Sequence, residues 1–395
     1  MRVVLAPTRF AGTLTAIEAA EAMARGWTRA APHDELVTVP MSDGGPGFVD
    51  VLAAGLGGEV LAATVSGPTG RDVPASVLVV DDGGTRTAYV ESTQAVGSDL
   101  VAAADWDPAH TSSAGVGQLL DLALTTRPTR IVVGVGVGVG ESATHDAGAG
   151  LLAALGAGHA ARLGAGGLAL QALTAGDLAG LGDVQRRFRG PALVLATTAT
   201  LPLLGFKGAS AVEAEERGAT PEQAQALESA LGHWVDVVGR AHPQPRDLLT
   251  GGARRLDREP GAGAAGGLGY ALYLLGARRV DGAALVAEAV GLAGRVRDAD
   301  LVVTGEGTYD WRSLRDSAPA AVSEITMAAG VPLVALAGQV RVGRREALTA
   351  GLSAAYAVAD RPATVAAALA DPAGTLAARA ARVAATWSPA PESAP

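Results

Sequence analysis

The sequence predicts a two-domain α/β protein, and three observations carry that prediction. Short runs of β-branched residues alternate with helical patterns, which is typical of parallel sheets joined by crossover helices. The chain has 395 residues, 49 % of them hydrophobic, which is enough for two domain cores. Its 53 glycines lie mainly in loops between apolar segments, a pattern that indicates tight turns between strands and helices.

Individual elements can be assigned from the same patterns. Residues 16–30 read as a helix opened by a capping box at Thr15 and Glu18, and residues 221–240 as a helix with Thr220 as N-cap and Pro221 in its first turn. Residues 75–80 and 85–91 read as a hairpin, residues 364–387 as a C-terminal helix and residues 388–395 as a disordered tail. The runs that predict strands are 2–6, 35–39, 129–135, 192–196, 299–303, 332–337 and 354–359.

Composition and charge narrow the class of partner. The net charge of −9 comes without acidic or basic blocks, so we expect a small-molecule partner, with no nucleic acid and no membrane. There is no cysteine, and neither a signal peptide nor an unbroken apolar span is visible, so a cytoplasmic protein is expected. Lys207 is the only lysine. The sequence carries no signal for the oligomeric state.

Three common fingerprints fail when they are tested in context. The only lysine is not followed by Ser or Thr, so a Walker A loop is absent. The glycines at 261, 263 and 266 have dinucleotide-binding spacing, but no strand precedes them. A nucleophile elbow is also missing, because Thr144 stands where its second glycine belongs. The 260–269 segment can therefore contribute only backbone groups or close packing.

Four glycine-rich loops, at residues 6–12, 41–47, 134–150 and 304–310, each follow an apolar run. Loops at the carboxyl ends of parallel strands share one edge of a sheet, where ligands bind. The acids in these loops are candidates for Mg²⁺ ligation or for accepting a hydroxyl proton, and they are Asp43, Asp146, Glu306 and Asp310. Each acid could equally cap a helix or face solvent, and His145 could be a ligand, a base or simply an exposed residue.

Taken in order, these loops and their neighbours resemble the bacterial type of glycerate kinase across nearly the whole chain. The matching blocks are APTRFAGTLTA at 6–16, MSDGGPG at 41–47, GPTGRDV at 67–73, GESATHDAGAG at 140–150, PLLGFKGASAV at 202–212, PGAGAAGGLG at 260–269, DLVVTGEGTYD at 300–310 and VPLVALAGQV at 331–340. The resemblance implies transfer of the γ-phosphate of ATP, with Mg²⁺, to a hydroxyl of glycerate or a related small hydroxy acid.

The resemblance also implies an architecture and a set of site residues. It implies a flavodoxin-like domain formed by residues 1–66 and 282–387, with residues 67–281 inserted as a mixed α/β domain. The implied site residues are catalytic Asp43, Asp146, Glu306 and Asp310; substrate or nucleotide contacts at Arg9, Gly44, Gly45, Ser142, Thr144, His145, Lys207, Gly305 and Gly307; and metal ligands Asp146 and Glu306. Because both acids are expected in loops, replacing Asp146 or Glu306 by alanine should abolish ligand binding and leave the fold intact.

The departures from the family pattern affect polar positions. Thr8, Ala11 and Ser317 stand where the family has an aspartate and two lysines, Pro46 replaces a glutamate and His145 an asparagine. Losing one preorganised charge contact to a transferring phosphoryl group costs about 10²–10³ in rate. Two hypotheses therefore remain: a kinase in which arginines such as Arg9 replace the lysines, or a catalytically impaired binding or regulatory protein. A third, an unrelated α/β protein with coincidental glycine turns, is the weakest.

Overall fold

The computed structural model describes residues 1–102, 105–136, 141–243, 251 and 254–388. Its contacts divide the chain into two compact units. The first unit comprises Met1–Asp43, Asp50–Leu56 and Ala283–Pro395, and the second comprises Gly44–Val49 and Gly57–Gly282. Each unit is built on its own β-sheet with helices, so the fold is mixed α/β, as the sequence predicts. No helix of the described residues is long and apolar enough to cross a membrane.

The elements are numbered in chain order. The strands are β1 Arg2–Pro7, β2 Glu35–Thr38, β3 Glu59–Ser66, β4 Asp72–Asp82, β5 Thr85–Glu91, β6 Arg130–Gly134, β7 Ala192–Ala196, β8 Arg278–Val280, β9 Leu301–Gly305, β10 Thr308–Tyr309, β11 Leu333–Ala337, β12 Gln339–Val340 and β13 Leu352–Ala357. The helices are α1 Ala16–Ala30, α2 Phe48–Leu56, α3 Thr93–Val96, α4 Ala114–Thr125, α5 Ala149–Ala154, α6 Ala160–Leu163, α7 Leu181–Arg187, α8 Pro221–Ala241, α9 Ala264–Leu274, α10 Gly282–Ala289, α11 Leu292–Arg297, α12 Ala318–Ala329, α13 Arg344–Thr349, α14 Pro362–Ala370 and α15 Pro372–Trp387.

The first unit contains a five-stranded sheet in the order β13-β11-β9-β1-β2, with every neighbouring pair parallel. In the unit's own chain order this is 2-1-3-4-5, the flavodoxin-like order, which reverses direction between β1 and β9. All five residues of β9 and of β11 are buried, as expected for strands covered on both faces. In sheets of this kind, ligands bind outside the carboxyl ends of the strands at the point of reversal.

Helices α1 and α15 pack together beside this sheet. The predicted capping box is present: Thr15 Oγ1 accepts from the Glu18 N–H at 3.2 Å, and the Glu18 carboxylate accepts from the Thr15 N–H at 2.9 Å. Gly26 allows the close approach, because a Cβ there would overlap the Ala377 carbonyl. The fully buried Trp27 and Met23 fill the core formed with the sheet.

The second unit contains a six-stranded mixed sheet in the order β3-β4-β5-β6-β7-β8. Strand β4 is antiparallel to both of its neighbours, β3 and β5, and β5 to β8 run parallel. The predicted hairpin of β4 and β5 therefore forms and is extended by β3. The fully buried Trp234 and Leu231 of α8, with Leu119 and Leu120 of α4, belong to the hydrophobic core of this unit.

Several elements differ from the sequence prediction. All seven predicted strands occur, with ends displaced by up to two residues, but β3, β8 and the two-residue strands β10 and β12 were missed. Strand β3 pairs with β4, so residues 57–66 lie in the second unit and not in the first as the 1–66 assignment has it. The predicted helix 364–387 is two helices, because Pro372 starts a new helix with Asp371 as its N-cap. Residues 264–269, to which no element was assigned from the sequence, begin α9, with Ala265 to Gly267 in left-handed conformations.

The predicted disordered tail is only partly within the described residues. Ser388 is buried, and its hydroxyl donates to the Asp34 carboxylate at 2.8 Å. Residues 389–395 lie outside the described residues, as do residues 137–140 of the glycine-rich loop that follows β6. Apart from the position of β3, the assigned domain bounds stay a prediction.

Candidate active site

In the first unit, the carboxyl ends of β1 and β9 bring several of the predicted residues to one edge of the sheet. Pro7 at the end of β1 is in register with Gly305 at the end of β9. Arg9 and Glu306 therefore follow neighbouring strands at the point where the strand order reverses. Gly305 must be glycine, because a Cβ there would overlap the Leu336 carbonyl of β11. A Cβ on Gly307 would lie 3.2 Å from the Ala11 nitrogen.

Glu306 is the most perturbed carboxyl group of this edge. Its pKa is raised to about 7, chiefly by burial and also by the negative charges of Asp310 and Asp43, while a hydrogen bond from Ser313 opposes the increase. Its Oε1 atom is buried and meets no hydrogen-bond donor among the residues that the structure describes. A half-buried acid with a pKa near neutrality can exchange a proton at physiological pH. The structure thus brings Asp43, Glu306 and Asp310 together.

The turn after β10 is held by side-chain caps. The Asp310 N–H donates to Ser313 Oγ at 2.9 Å, and Asp310 Oδ1 accepts from the Arg312 N–H at 2.8 Å. Ser317 is the N-cap of α12: its hydroxyl accepts from the Ala320 N–H at 3.2 Å and donates to the Ser313 carbonyl at 2.8 Å. Position 317 therefore has a structural role in this chain.

Two more positions that depart from the family pattern, Thr8 and Ala11, lie on the loop after β1. The Thr8 N–H donates to the Gly305 carbonyl at 2.7 Å, and its hydroxyl lies 3.2 Å from the same oxygen. Ala11 is exposed, whereas Arg9 is half-buried and makes contacts of its own. Thr8 thus links the two strand ends that flank Glu306.

In the second unit, Asp146 is fully buried and already has hydrogen-bond partners. Its Oδ2 accepts from the Ser113 N–H and hydroxyl, both at 2.9 Å, and from the Gly150 N–H at 3.0 Å, while its Oδ1 accepts from the Gly148 N–H at 3.0 Å. Burial raises its pKa, and these hydrogen bonds oppose the shift. These contacts argue against the expectation that alanine at this position leaves the fold intact, because four donors would lose their acceptor.

His145 is buried as well, contrary to its interpretation as an exposed residue. Its Nε2 lies 2.9 Å from Ser210 Oγ and its Nδ1 lies 3.1 Å from Nη1 of Arg217. Burial, followed by the charge of Arg217, lowers its pKa to about 3. Both ring nitrogens are occupied, so in this arrangement His145 is a neutral structural group and not a metal ligand or base.

Ser142 and Thr144 flank Ala143 in the same buried loop. Their hydroxyl oxygens lie 3.2 Å apart, and both residues are almost fully buried. One loop of the second unit thus contains four predicted site residues: Ser142, Thr144, His145 and Asp146. Lys207 is not with them, because it lies beside Phe206 in an exposed turn.

Gly44 and Gly45 pack against the carboxyl ends of the second sheet. A Cβ on Gly44 would lie 2.6 Å from the Ala196 carbonyl at the end of β7, and Gly44 has a positive φ of 104°. The buried Glu91, at the end of β5, accepts from the Gly47 and Val49 N–H groups at 3.1 and 3.0 Å. Sequence reasoning missed Glu91, although its position at the end of a predicted strand is the same signal that selected the other acids.

Asp146 does not support its assignment as a metal ligand, because both of its carboxylate oxygens already accept hydrogen bonds from protein donors. Within the described residues, no group of three or more His, Asp or Glu side chains has an arrangement that could hold a metal ion by itself. Mg²⁺ in kinases is commonly bound by one or two carboxylates together with substrate phosphates. The mutually repelling carboxylates of Asp43, Glu306 and Asp310 fit that simpler donor set.

Comparison with known proteins identifies the family. The model of the glycerate kinase family matches residues 3–388. The chain belongs to the glycerate kinase family. It is 34 % identical to a glycerate 2-kinase of Escherichia coli, covering 86 % of this chain and 85 % of that protein, and 38 % identical to an uncharacterized protein of Mycobacterium bovis, covering 98 % and 91 %. A crystal structure described as a putative glycerate kinase 2 from Salmonella typhimurium superposes with a TM-score of 0.74 at 33 % identity, covering 98 % of each chain.

Family membership makes this chain an enzyme of the kinase class, with small-molecule substrates and ATP as the implied nucleotide. It also agrees with the two-unit α/β fold described above. The resemblance drawn from the glycine-rich loops is thereby confirmed, and the hypothesis of coincidental turns is wrong.

Proposed function

We propose that this glycerate kinase family member transfers the γ-phosphate of ATP to a hydroxyl of glycerate or a closely related small hydroxy acid. The observation that carries the proposal is the position of Glu306. A carboxyl group with a pKa raised to about 7 lies at the end of β9, where the strand order of the parallel sheet reverses, with Asp43 and Asp310 beside it. This is the edge at which open parallel sheets bind ligands.

In this proposal Glu306 accepts the proton of the attacking hydroxyl. Its elevated pKa suits the task, because a general base works best when its pKa lies near the operating pH. The orphaned Oε1 atom is the group that the acceptor hydroxyl would satisfy. Gly305 and Gly307 allow the backbone of β11 and of the loop after β1 to approach this edge closely.

The nucleotide and its cation would meet the same edge. Mg²⁺ would be held by Asp43 and Asp310 together with the nucleotide phosphates, and it would neutralise charge on the transferred group. Arg9, on the loop after β1, would supply the positive charge that the family pattern places on lysine.

The residues at positions 8, 11 and 317 favour a second candidate function. In this alternative, the family member binds its ligands but phosphorylates its substrate slowly. Thr8 and Ser317 have structural hydrogen bonds, and Ala11 carries no charge. Backbone N–H groups and Mg²⁺ can bind a nucleotide without the missing lysines, whereas transition-state charge is stabilised less well. Binding is therefore expected to survive better than turnover.

The test combines binding and turnover with three substrates. Isothermal titration measures ATP–Mg²⁺ and glycerate binding, and a coupled assay measures ADP release with glycerate, with lactate, which has only the 2-hydroxyl, and with 3-hydroxypropionate, which has only the 3-hydroxyl. ADP release that depends on glycerate supports the kinase, and the analogue that is phosphorylated identifies the hydroxyl. Binding of both ligands without ADP release supports the second candidate, and no binding of either rejects both.

A further inference from the structure

The second unit contains a buried arginine whose three nitrogens all have partners. Arg217 is 6 % exposed. Its Nε donates to the Ser142 carbonyl at 2.9 Å, its Nη1 donates to His145 Nδ1 at 3.1 Å, and its Nη2 lies 2.6 Å from Glu213 Oε2. One guanidinium therefore joins the loop that contains Ser142 and His145 to the segment that contains Glu213.

The donor–acceptor pattern around His145 follows from this contact. Arginine is always protonated and can only donate, so Nδ1 of His145 must be the unprotonated nitrogen. The proton of the neutral ring is then on Nε2, which donates to Ser210 Oγ at 2.9 Å. Arg217 is the charged group that contacts the ring, and the neutral state of the ring avoids a second positive charge beside it.

These contacts fix the loop at two points. Arg217 holds the Ser142 carbonyl and the His145 ring, and Asp146 holds the N–H groups of Ser113, Gly148 and Gly150. Ala143 and Thr144 lie between the two residues that Arg217 holds. Ser142, Ala143 and Arg217 line a small pocket together with Trp106 and Asp107.

We propose that Arg217 is a positioning residue: through Ser142 and His145 it holds the 142–146 loop in the single conformation that the kinase reaction requires. This inference rests on the proposed function, because it assumes that the loop contributes to the substrate site. It assigns no contact between Arg217 and the reacting atoms. A misplacement of about 1 Å in a positioned group can cost roughly 10²-fold in rate, so loosening this loop should be visible in kinetics.

The geometry requires arginine and not merely a positive charge. Arg217→Lys keeps the charge for Glu213, but one ammonium group cannot also reach the Ser142 carbonyl and His145 Nδ1 in the planar pattern of a guanidinium. His145→Asn retains an acceptor, because its amide oxygen takes the place of Nδ1. His145→Leu removes the acceptor and leaves Arg217 with an unpaired donor.

The experiment compares these three variants and Arg217→Met, which removes the charge and all donors, in the full chain with Val184→Ala. Val184 is a buried core residue of α7 in the same unit, so its truncation controls for a general loss of stability. Hydrogen exchange of residues 142–148 reports the loop directly, and kcat and KM for glycerate report its consequence. Nitrogen NMR of the His145 ring at one neutral pH reports the tautomer. We expect Arg217→Lys, Arg217→Met and His145→Leu to accelerate exchange and to lower kcat/KM about 10–100-fold, while His145→Asn stays within about threefold of wild type.

Each outcome decides one of the two proposals. The positioning role is overturned if exchange of residues 142–148 in Arg217→Met equals that of Val184→Ala, or if the ring proton of His145 is on Nδ1. It is also overturned if Arg217→Lys retains the wild-type kcat/KM. A wild-type protein that releases no ADP with any hydroxy acid overturns the proposed function instead, and the exchange comparison still decides whether Arg217 holds the loop.

Discussion

At the scale of single residues, Glu306 combines a catalytic assignment with a cost to stability. Its pKa in the folded protein is raised from 4.5 to about 7, chiefly by burial. Between these two values the folded protein keeps a proton that the unfolded chain has released. The contribution of Glu306 to stability is therefore fully present below about pH 4.5 and is lost as the pH rises through 7.

This linkage predicts that Glu306→Gln stabilises the protein at high pH. The free energy of unfolding of the ligand-free variant should exceed that of wild type at pH 8, and the difference should shrink towards pH 4.5, where both side chains are neutral. Urea denaturation at a series of pH values measures it. Glu324→Gln, at an exposed glutamate of α12 in the same unit, is the control. Equal stability of wild type and Glu306→Gln at pH 8 would show that the carboxyl is not penalised by burial.

Asp146 is the opposite kind of acid, one that supports the fold. Asp146→Ala leaves the N–H groups of Ser113, Gly148 and Gly150 and the Ser113 hydroxyl without their acceptor. Each buried unsatisfied group costs about 1–3 kcal/mol, so the variant should lose several kcal/mol of unfolding free energy. Urea denaturation checks this, with Asp43→Ala as the comparison at a half-buried acid. A stability of Asp146→Ala within 1 kcal/mol of wild type, to the precision of about ±0.5, would contradict the structural role.

At the scale of elements, the role of Ser317 as the N-cap of α12 explains why a lysine at position 317 should lower stability. Combined replacement Thr8→Asp, Ala11→Lys and Ser317→Lys should raise kcat with glycerate, whereas each single change should do little, because groups that act as a unit are non-additive. Ser317→Lys also removes the N-cap of α12, which costs about 1 kcal/mol of stability. The exposed Ala11 has room for a lysine, so that replacement should be neutral for stability.

The measurements are steady-state kinetics and thermal unfolding of the triple variant, the three single variants and Thr8→Asp with Ala11→Lys. The double variant serves as the control with an intact helix cap. If one single replacement alone restores the full gain, the three positions do not act together. If the triple variant shows no gain, arginines such as Arg9 have taken over the lost charges or the acceptor differs from glycerate.

At the scale of the whole molecule, elements set by local chemistry could be predicted and those set by tertiary pairing could not. The capping boxes at Thr15 and Thr220 and the β-branched runs gave correct helices and strands. Strand β3 was missed because its residues alternate between half-buried and exposed, and β8 because three residues carry little periodicity. Proline cannot continue a helix interior, so a break at Pro372 could have been expected. The alanine-rich residues on both sides of it suggested one continuous helix instead.

The residues of the candidate site could likewise be predicted only in part. Position at the end of a strand was enough to select Glu306, Asp310 and Asp43, which the structure brings together. It could not distinguish an accessible acid from one such as Asp146 whose partners come from Ser113, a residue 33 positions earlier in the chain. Arg217 carried no signal at all, because its role depends on a fold that places it beside His145, 72 positions away.

The measurement that tests the central claim most directly is the pH dependence of kcat/KM for glycerate in wild type and Glu306→Gln, from the coupled ADP-release assay. The account predicts glycerate-dependent turnover below the usual kinase range of about 1–100 s⁻¹, with kcat/KM rising as the pH passes about 7, where Glu306 of the free enzyme ionises. Glu306→Gln should lower kcat/KM about 10²–10⁴-fold and remove that rise. Wild-type kcat/KM in Glu306→Gln, or a pH profile that the substitution leaves unchanged, would contradict the account.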